Sequence, residues 1–332
     1  MHLRVLISDY DFPDVELEKQ IFREAGIEVV EGRCVTEDDV IAAAVGCQGV
    51  LSQYAPLNAK VFAARPEIRV VSRMGAGFDT VNTADAKRFG VWVANSPDYG
   101  VGEVATHALA MATALVRHLV FFDRDVRAGT WHYTSTGPLR RPRELALGIL
   151  GLGRIGKRMA EISRTVFGRV IACDPYIPES DFANRAQRVT LADLFRDSDV
   201  LSLHTPLDGE TRHIVNASRL ATMKKGSFLV NTARGAVADI DAVVAALDDG
   251  TLEGAGLDVL PREPMPANHA ILRHPRVILS PHAAFYSAEG EKELRTKAAQ
   301  NLIDWAKTGR PTYVVVEGKS PSPLGEGGGE GR

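Results

Sequence analysis

A glycine-rich segment, GLGRIG at Gly151–Gly156, has the residue types and spacing to bind a pyrophosphate. It follows the apolar run LALGIL and precedes a helical pattern in which Met159, Ile162 and Val166 share one face with Ile155. In that context the first glycine makes a tight turn, the second lets backbone N–H groups approach the anion, and the third lets the helix pack on the strand. A glycine turn without a ligand is the alternative, because the same string occurs in other α/β proteins.

An acidic residue, Asp174, ends the next strand-like run, VIACD. A carboxylate at this place can accept hydrogen bonds from the hydroxyls of an adenosine ribose, and it would repel the 2′-phosphate of NADP. The residues that follow, Pro175 and Tyr176, offer no arginine to bind that phosphate. We therefore predict NAD as the cofactor. Its predicted contacts in this part of the chain are Gly151, Gly153, Arg154, Ile155, Gly156 and Asp174.

Three polar residues farther along the chain each come shortly after a predicted strand. Arg234 follows FLVNTA, Glu263 lies in DVLPREP after AGLDV, and His282 lies in SPHAAF after VIL. Ligands of open α/β sheets bind at the carboxyl ends of the strands, so these side chains are candidates for one site. Their spacing does not by itself join them, and each can also be an ordinary loop residue on the surface.

Strand-like and helical patterns alternate along the chain in two series. The first series ends at Ala94 and the second begins at Leu145. Between them, the turn residues of NSPDYG at Asn95–Gly100 predict a hinge, and a long helical pattern follows over about 103–127. Such alternation implies parallel sheets with helices on their faces. The predicted fold is α/β, with two Rossmann-like doubly wound parallel-sheet domains.

The composition is that of an ordinary soluble globular protein. The chain has 332 residues, of which 45% are apolar and 24% charged, and its length fits about two domains. The formal net charge is −3, so no global field attracts nucleic acid or an anionic membrane. The basic cluster RRPR at Arg140–Arg143 has no aromatic company and is predicted to be a solvated loop. We predict a small-molecule partner, and neither a nucleic-acid nor a membrane partner.

The cysteines indicate the compartment. Cys34, Cys47 and Cys173 are an odd number at wide spacing, which fits neither a disulfide framework nor a zinc site. They favour a reducing compartment, and we predict a cytoplasmic protein. His269 and His274 lack the spacing of metal ligands, so no metal site is predicted.

Five segments stand in an order that resembles one enzyme family. GLGRIG, Asp174, NTARG, DV followed by REP, and PHAAF together resemble the D-isomer-specific 2-hydroxyacid dehydrogenase family over residues 68–309. Within it, NTARG, PHAA and the following Tyr286 and Ser287 are most similar to the C-terminal-binding-protein branch, which includes dehydrogenase-like transcriptional corepressors. That branch typically carries a tryptophan where Phe285 stands. The resemblance implies an NAD-dependent enzyme that interconverts a 2-keto acid and a D-2-hydroxy acid by hydride transfer.

The resemblance also implies roles for the three strand-end residues. His282 would give a proton to the carbonyl oxygen in reduction and take it back in oxidation. Glu263 would hydrogen-bond the other imidazole nitrogen, which favours the imidazolium and fixes the ring. Arg234 would bind the substrate carboxylate with its planar fork and polarise the carbonyl group. Reduction should then dominate at neutral pH and oxidation at higher pH.

Further residues match family contacts, and a capping or turn role is the alternative for each. The implied cofactor contacts are Thr205, Pro206, Thr232, Ala233, Arg234, Asp258 and His282. The loop MGAGFD at Met74–Asp79 can present backbone N–H groups to a substrate carboxylate. The implied substrate contacts are Gly75, Ala76, Gly77, Arg234 and His282.

Family members usually have a discontinuous substrate domain. By resemblance, residues 1–98 and 286–316 form the substrate-binding domain, residues 99–285 form the NAD-binding domain, and the active site lies in the cleft between them. Residues 317–332 carry almost nothing apolar and are predicted to be a disordered tail. The resemblance also implies a homodimer, formed through the long helix and the arm near Trp131.

The sequence leaves the substrate open. A phosphorylated substrate needs several cations; Arg73 beside the glycine loop is one candidate, whereas the loop Ser52–Pro56 has no basic residue. This disfavours a phosphorylated substrate. The alternative function is a nucleotide-sensing protein like the corepressors, in which NADH mainly stabilises an assembly.

Overall fold

The computed structural model describes residues 3–319, which fall into two units. One unit consists of residues 3–99 with 288–319, and the other of residues 100–287. The predicted boundaries at 98/99 and 285/286 lie close by. Within the predicted tail, residues 317–319 are placed in the first unit, where the Lys319 N–H donates to the carbonyl of Gly90. The rest of that predicted tail lies outside the described residues.

Residues 3–99 alternate strands with helices. The strands are β1 (Arg4–Ile7), β2 (Glu28–Glu31), β3 (Gly49–Ser52), β4 (Val70–Arg73) and β5 (Trp92–Ala94). The helices are α1 (Glu16–Glu24), α2 (Glu37–Ala43), α3 (Ala59–Ala64) and α4 (Thr83–Phe89). Side-chain caps mark several helix starts: Thr36 and Asp39 form a capping box at α2, and Asn82 caps α4. Gly90, with φ 73°, ends α4 in the left-handed conformation that favours glycine.

Residues 100–287 form a second alternating series. The helices are α5 (Val101–Val116), α6 (Leu119–Arg127), α7 (Arg154–Ser163), α8 (Glu179–Phe182), α9 (Leu191–Asp197), α10 (Ala217–Leu220) and α11 (Ile240–Asp248). The strands are β6 (Ala146–Leu150), β7 (Arg169–Cys173), β8 (Gln187–Arg188), β9 (Val200–Leu203), β10 (Ser227–Asn231), β11 (Leu252–Leu257) and β12 (Val277–Leu279). Every residue of β6, β9 and β10 is buried, which is why these strands read as near-continuous apolar runs.

The chain ends in the first unit with α12 (Ala288–Thr308) and β13 (Val314–Val316). The first sheet has the order β13-β5-β4-β3-β1-β2, and its pairs are parallel except for β13 with β5. The second sheet is parallel, with the order β12-β11-β10-β9-β6-β7-β8. The predicted fold class, two Rossmann-like parallel-sheet domains, is confirmed.

The strand order of the second sheet reverses beside β6. From β6 the chain builds outward through β7 to β8, and then returns to the other side of β6 as β9. The carboxyl ends of β6 and β9 therefore flank a crevice at which doubly wound sheets bind ligands.

The long helix predicted over about 103–127 is two helices, α5 and α6, bent by 59°. The break lies at Arg117 and His118, and His118 has a left-handed φ of 52°. Its buried ring lies 3.2 Å from Glu253 (Nε2 to Oε1) and donates through Nδ1 to the carbonyl of Thr136, also at 3.2 Å. These side-chain contacts hold a conformation that helical periodicity does not reveal. Within residues 3–319 no single helix has the length and apolar composition to cross a membrane, and α5 and α6 have them only as this bent pair.

A buried ion pair joins α1 to α12 in the first unit. Arg295 donates through Nε and Nη2 to the two carboxylate oxygens of Glu18, at 2.7 and 2.8 Å. The Glu18 side chain is 0% exposed and that of Arg295 is 9% exposed. Arg295 also donates to Glu291 at 3.0 Å and to the carbonyl of Asp14 at 2.7 Å. The hydrogen bond with Glu18 raises the pKa of Arg295, so the guanidinium stays charged.

We predict that Glu18→Leu lowers the free energy of unfolding by about 3–5 kcal/mol, because it leaves a buried guanidinium without its main partner. Adding Arg295→Met should recover most of that loss, since two apolar side chains then replace the pair. Urea unfolding followed by the fluorescence of Trp92 and Trp305 measures both changes. A loss below about 1 kcal/mol in the single variant would contradict the prediction.

Candidate active site

The glycine loop joins β6 to α7, and its three glycines meet different surroundings. Gly151 has φ 88°, and a Cβ there would lie 2.8 Å from the carbonyl oxygen of His204. A Cβ on Gly156 would lie 2.1 Å from the carbonyl oxygen of Gly151. A Cβ on Gly153 would meet nothing within 4 Å. The first and third glycines are thus required by packing within the protein, whereas the second faces open space, as an anion-binding loop needs.

The middle of the motif contributes backbone more than side chains. Arg154 is exposed at the first position of α7, and Ile155 packs against the apolar core beneath the sheet. Their N–H groups lie in the first turn of α7, where helix donors lack partners within the helix. Contacts of these two residues with a cofactor stay predictions.

A cavity of about 1100 Å³ opens beside the glycine loop. Five predicted cofactor contacts line it: Gly151, Gly153, Asp174, Thr205 and Pro206. The sequence analysis missed Thr190, Tyr176 and His204, which line it too. The only sequence signal for His204 is its place directly after β9, at the strand-order reversal.

Asp174 ties the end of β7 to the glycine loop. Its Oδ2 accepts from the N–H of Leu152 at 2.9 Å, and its Oδ1 accepts from the N–H of Tyr176 at 3.0 Å. An ionised carboxylate has about four lone-pair sites, so capacity remains for ribose hydroxyls. The structure therefore adds a loop-shaping role to the predicted ligand role.

His204 presents a neutral ring to this cavity. Burial lowers the pKa of His204 to about 4, and its Nε2 lies 2.9 Å from the hydroxyl of Ser202. At neutral pH the ring can offer a hydrogen bond but no charge.

The turn that carries Arg234 is shaped by Asn231, a buried residue that the sequence analysis did not single out. The Asn231 side-chain amide donates to the carbonyl of Arg234 at 2.9 Å and accepts from the N–H of Ala233 at 3.0 Å. Between them, the buried hydroxyl of Thr232 has no hydrogen-bond partner within residues 3–319. An orphaned buried hydroxyl fits the predicted cofactor contact, because a bound ligand would satisfy it.

A close backbone approach brings Arg234 toward Glu263. A Cβ on Gly235 would lie 1.9 Å from the carbonyl carbon of Leu260, so only glycine lets these two segments meet. The Leu260 N–H donates to Oε1 of Glu263 at 2.9 Å, which fixes that carboxylate. Arg234 lies near enough that its charge contributes to lowering the pKa of Glu263.

Glu263 and His282 form a direct pair. The His282 Nδ1 lies 2.7 Å from Oε2 of Glu263, and both side chains are a little over one-third exposed. Burial acts to raise the pKa of Glu263, but the hydrogen bond and the charge of His282 outweigh it, and the pKa lies below its ordinary value. Glu263 is thus ionised at neutral pH. Because Nδ1 is engaged, Nε2 is the ring atom left to exchange a proton with a substrate.

The loop that carries His282 wraps around the carboxylate of Asp258. The N–H of Ala283 donates to Oδ1 at 2.8 Å and that of Ala284 to Oδ2 at 3.0 Å, while the hydroxyl of Ser280 donates to Oδ1. The His282 N–H donates to the Asp258 carbonyl at 2.8 Å, and His282 has a left-handed φ of 54°. The buried Asp258 carboxylate thus faces its own chain, and its contact with a cofactor stays a prediction.

The predicted substrate loop, Gly75 to Gly77, follows β4 in the first unit. The Ser96 N–H donates to the carbonyl of Gly75 at 3.0 Å, and Asn95 donates through Nδ2 to the carbonyl of Ala76 at 2.6 Å. The guanidinium of Arg73 packs on Gly75, where a Cβ would lie 1.2 Å from Nη1. These three residues belong to a different unit from Arg234 and His282, and their role in substrate binding stays a prediction.

No group of three or more His, Cys, Asp or Glu side chains placed to hold a metal ion occurs within residues 3–319. The candidate chemistry is therefore built from an arginine, a carboxylate–imidazole pair and a dinucleotide-sized cavity.

Known proteins resemble this chain along most of its length. A family model described as D-isomer specific 2-hydroxyacid dehydrogenase, NAD binding domain, matches residues 109–284. A glyoxylate reductase from Aeropyrum pernix is 38% identical over 258 residues, which cover 75% of this chain and 77% of that protein. A hydroxypyruvate reductase from Blautia hydrogenotrophica is 31% identical over 303 residues, 87% of this chain and 94% of that protein.

A solved structure shows the same likeness in three dimensions. The D-lactate dehydrogenase from Aquifex aeolicus, complexed with NAD and lactic acid, superposes with a TM-score of 0.84 at 27% identity. The superposition covers 96% of this chain and 100% of that one.

The family match falls within the unit of residues 100–287, which contains the glycine loop, the cavity and the orphaned hydroxyl of Thr232. The prediction of NAD as the cofactor is confirmed. The chain belongs to the NAD-dependent, D-isomer-specific 2-hydroxyacid dehydrogenase family.

Proposed function

We propose that this protein reduces small, unphosphorylated 2-keto acids to D-2-hydroxy acids with NADH, and that glyoxylate and hydroxypyruvate are its best substrates. The observation that carries the proposal is the 2.7 Å bond from His282 to Glu263, beside the guanidinium of Arg234. The two reductases to which the chain is similar support the choice of substrates.

Each of the three side chains has one task in this reaction. NADH, held by the glycine loop and the Thr232 hydroxyl, would supply the hydride to the carbonyl carbon. Arg234 binds the substrate carboxylate through two parallel N–H groups, which orients the adjacent carbonyl. His282 donates the Nε2 proton to the carbonyl oxygen as it becomes a hydroxyl. Ionised Glu263 holds the ring by Nδ1 and favours its charged form.

The first unit supports an unphosphorylated substrate. At the carboxyl ends of β1 and β3, the Asp9 carboxylate accepts from the N–H of Tyr54, and Asp11 accepts from the Tyr54 hydroxyl at 2.9 Å and from Gln53 at 2.6 Å. Arg73 is the nearby cation, and its Nε donates to the carbonyl of Gln53 at 3.2 Å. Two carboxylates against one guanidinium disfavour a phosphate group here.

Three further features belong to the proposal and stay predictions: a homodimer, a cytoplasmic location and closeness to the C-terminal-binding-protein branch. Leu119 and Val126 on α6, and Trp131 and Tyr133 beyond it, keep exposed apolar side chains, which supports a second copy of the chain as a partner. A nucleotide sensor without turnover is the alternative outcome of the assay below.

His282→Ala should lower kcat at least 100-fold, because the carbonyl oxygen loses its proton donor. Binding of NADH, measured by fluorescence titration, should change less than about twofold, since the glycine loop is untouched. NADH absorbance is followed with glyoxylate, hydroxypyruvate, pyruvate and phosphohydroxypyruvate. His269→Ala, which changes a histidine facing Asp241 outside the site, is the control and should keep wild-type kcat.

Two results would overturn this assignment. A wild-type protein that binds NADH but turns over none of the four acids would be a sensor. Near-wild-type turnover by His282→Ala would remove the histidine from the mechanism.

Glu263→Gln should change the pH dependence of reduction. Because the pKa of Glu263 is lowered, wild-type Glu263 stays ionised until the pH falls below the ordinary glutamate range near about 4.3, so its support of the imidazolium is lost only there. Without that charge, the pH at which kcat/KM for reduction declines should move down by about one unit. Glu161→Gln, on the outer face of α7, is the matched control. An unmoved decline in Glu263→Gln would contradict the role of the carboxylate.

The cofactor preference follows from Asp174. We expect kcat/KM to favour NADH over NADPH by about 100-fold, because this carboxylate repels a 2′-phosphate. Asp174→Asn should narrow the preference; it should also weaken NADH binding, since Asp174 accepts from the N–H groups of Leu152 and Tyr176. Initial rates with both cofactors measure the ratio. A wild-type preference for NADPH would refute this reading of the site.

A further inference from the structure

A histidine on α5, His107, contacts the loop that carries His282, yet the proposed reaction does not use it. Its Nε2 lies 2.9 Å from the hydroxyl oxygen of Ser280. One turn earlier on α5, Glu103 accepts from the hydroxyl of Ser287 at 3.0 Å. The helix therefore holds both ends of the segment 280–287, in which His282 lies.

The hydrogen bonds through Ser280 have a fixed direction. An ionised carboxylate only accepts, so the single hydroxyl proton of Ser280 is donated to Oδ1 of Asp258. The Ser280 oxygen is then free to accept, and Nε2 of His107 must be the donor. A chain of donors thus runs from His107 through Ser280 to the buried carboxylate.

The same carboxylate sets the backbone of the loop. Its oxygens accept from the N–H groups of Ala283 and Ala284, the two residues directly after His282. His282 has a left-handed φ of 54°, a conformation that costs a non-glycine residue about 1–3 kcal/mol and persists only when neighbouring contacts enforce it. Ser280 supplies one of those contacts, and His107 orients the hydroxyl of Ser280.

The charges that face His107 are few. Asp258 Oδ1 lies 3.7 Å from its Nε2, and Glu103 lies one turn away on α5. The His107 side chain is 29% exposed and that of Asp258 is fully buried. A donor at Nε2 therefore supports a buried negative charge that the loop is built around.

We propose that His107 is a positioning residue for the reaction: acting through Ser280 and Asp258, it holds the loop so that the His282 ring meets Glu263 on one side and the substrate on the other. The inference depends on the proposed reductase function for its catalytic readout, but not for its structural one. A side chain that keeps an N–H donor should preserve the effect, whereas an apolar side chain of similar size should not.

The test compares His107→Leu, His107→Gln and Ser280→Ala with the wild type. Kinetics with glyoxylate give kcat, KM and the NADH Kd, and hydrogen exchange measures protection of the amides of residues 282–284. We expect His107→Leu and Ser280→Ala each to lower kcat about tenfold with an NADH Kd within twofold, because a small shift of a catalytic group lowers rate more than cofactor binding. Amide exchange in the loop should rise in both, and His107→Gln should restore most of kcat and of the protection.

Two controls separate positioning from simple loss of structure. Thr106→Ala changes the neighbouring residue on α5, whose hydroxyl bonds to the helix's own carbonyl oxygens, and should leave kcat and loop exchange unchanged. If His107 acts through Ser280, the double variant His107→Leu/Ser280→Ala should be no slower than Ser280→Ala alone.

Each remaining outcome has one meaning. Additive losses in the double variant, or wild-type kcat in His107→Leu, would overturn the proposal. Faster exchange without a change in kcat would reduce His107 to a structural residue and overturn it as well. If the wild type turns over no 2-keto acid, the reductase function fails. In that case unchanged loop exchange in His107→Leu would independently overturn the tether.

Discussion

A buried carboxylate, that of Asp258, constrains the active-site half of this molecule more than any other single group. A charge removed from water must be met by donors, and here three come from the segment just after β12: the hydroxyl of Ser280 and the N–H groups of Ala283 and Ala284. To deliver them the chain curls, and His282 takes a left-handed conformation. The curl is what places an imidazole 2.7 Å from Glu263. The geometry of the catalytic pair therefore depends on satisfying one buried charge.

The same reasoning extends along the carboxyl edge of the second sheet. Neighbouring strands β10, β11 and β12 end beside one another, so Arg234, Asp258 and His282 start from adjacent positions although they are far apart in sequence. Gly235 removes the one side chain that would keep the segments after β10 and β11 apart. The glycine loop after β6 lies at the reversal of strand order on that same edge. Packing and chemistry thus share a few backbone approaches that tolerate no Cβ.

The features predictable from sequence are those written in a short stretch of chain. The glycine motif, Asp174 at the end of β7 and the alternation of strands and helices depend on local spacing, and the fold and the cofactor follow from them. The meeting of Arg234, Glu263 and His282 depends on strand order, which spacing does not encode. It was available only through the order of segments in a known family.

What sequence reasoning missed depends on packing between distant elements. The link from His107 to Ser280 exists because α5 lies against the end of β12, and no local pattern pairs a helix histidine with a serine far along the chain. The break at His118 is hidden because helical periodicity continues through it, while the contact with Glu253 that stabilises it comes from β11. Asp174 shows the converse: its predicted ligand role was readable, but its bond to the N–H of Leu152 was not. Long-range hydrogen bonds decide these details.

Charge balance connects the site to its substrate. With Arg234 and the imidazolium of His282 positive and Glu263 negative, the three side chains carry one net positive charge. A monocarboxylate neutralises that charge, so a small 2-keto acid binds without leaving an uncompensated charge in a partly buried site. A phosphate monoester would add nearly two negative charges, and the first unit meets them with Asp9 and Asp11 beside Arg73 alone. When His282 gives up its proton, Glu263 and Arg234 are left balanced, and the carboxylate of the product loses a net attraction to the site. The charge that admits the keto acid is therefore weakened by the step that consumes it, which favours release of the hydroxy acid.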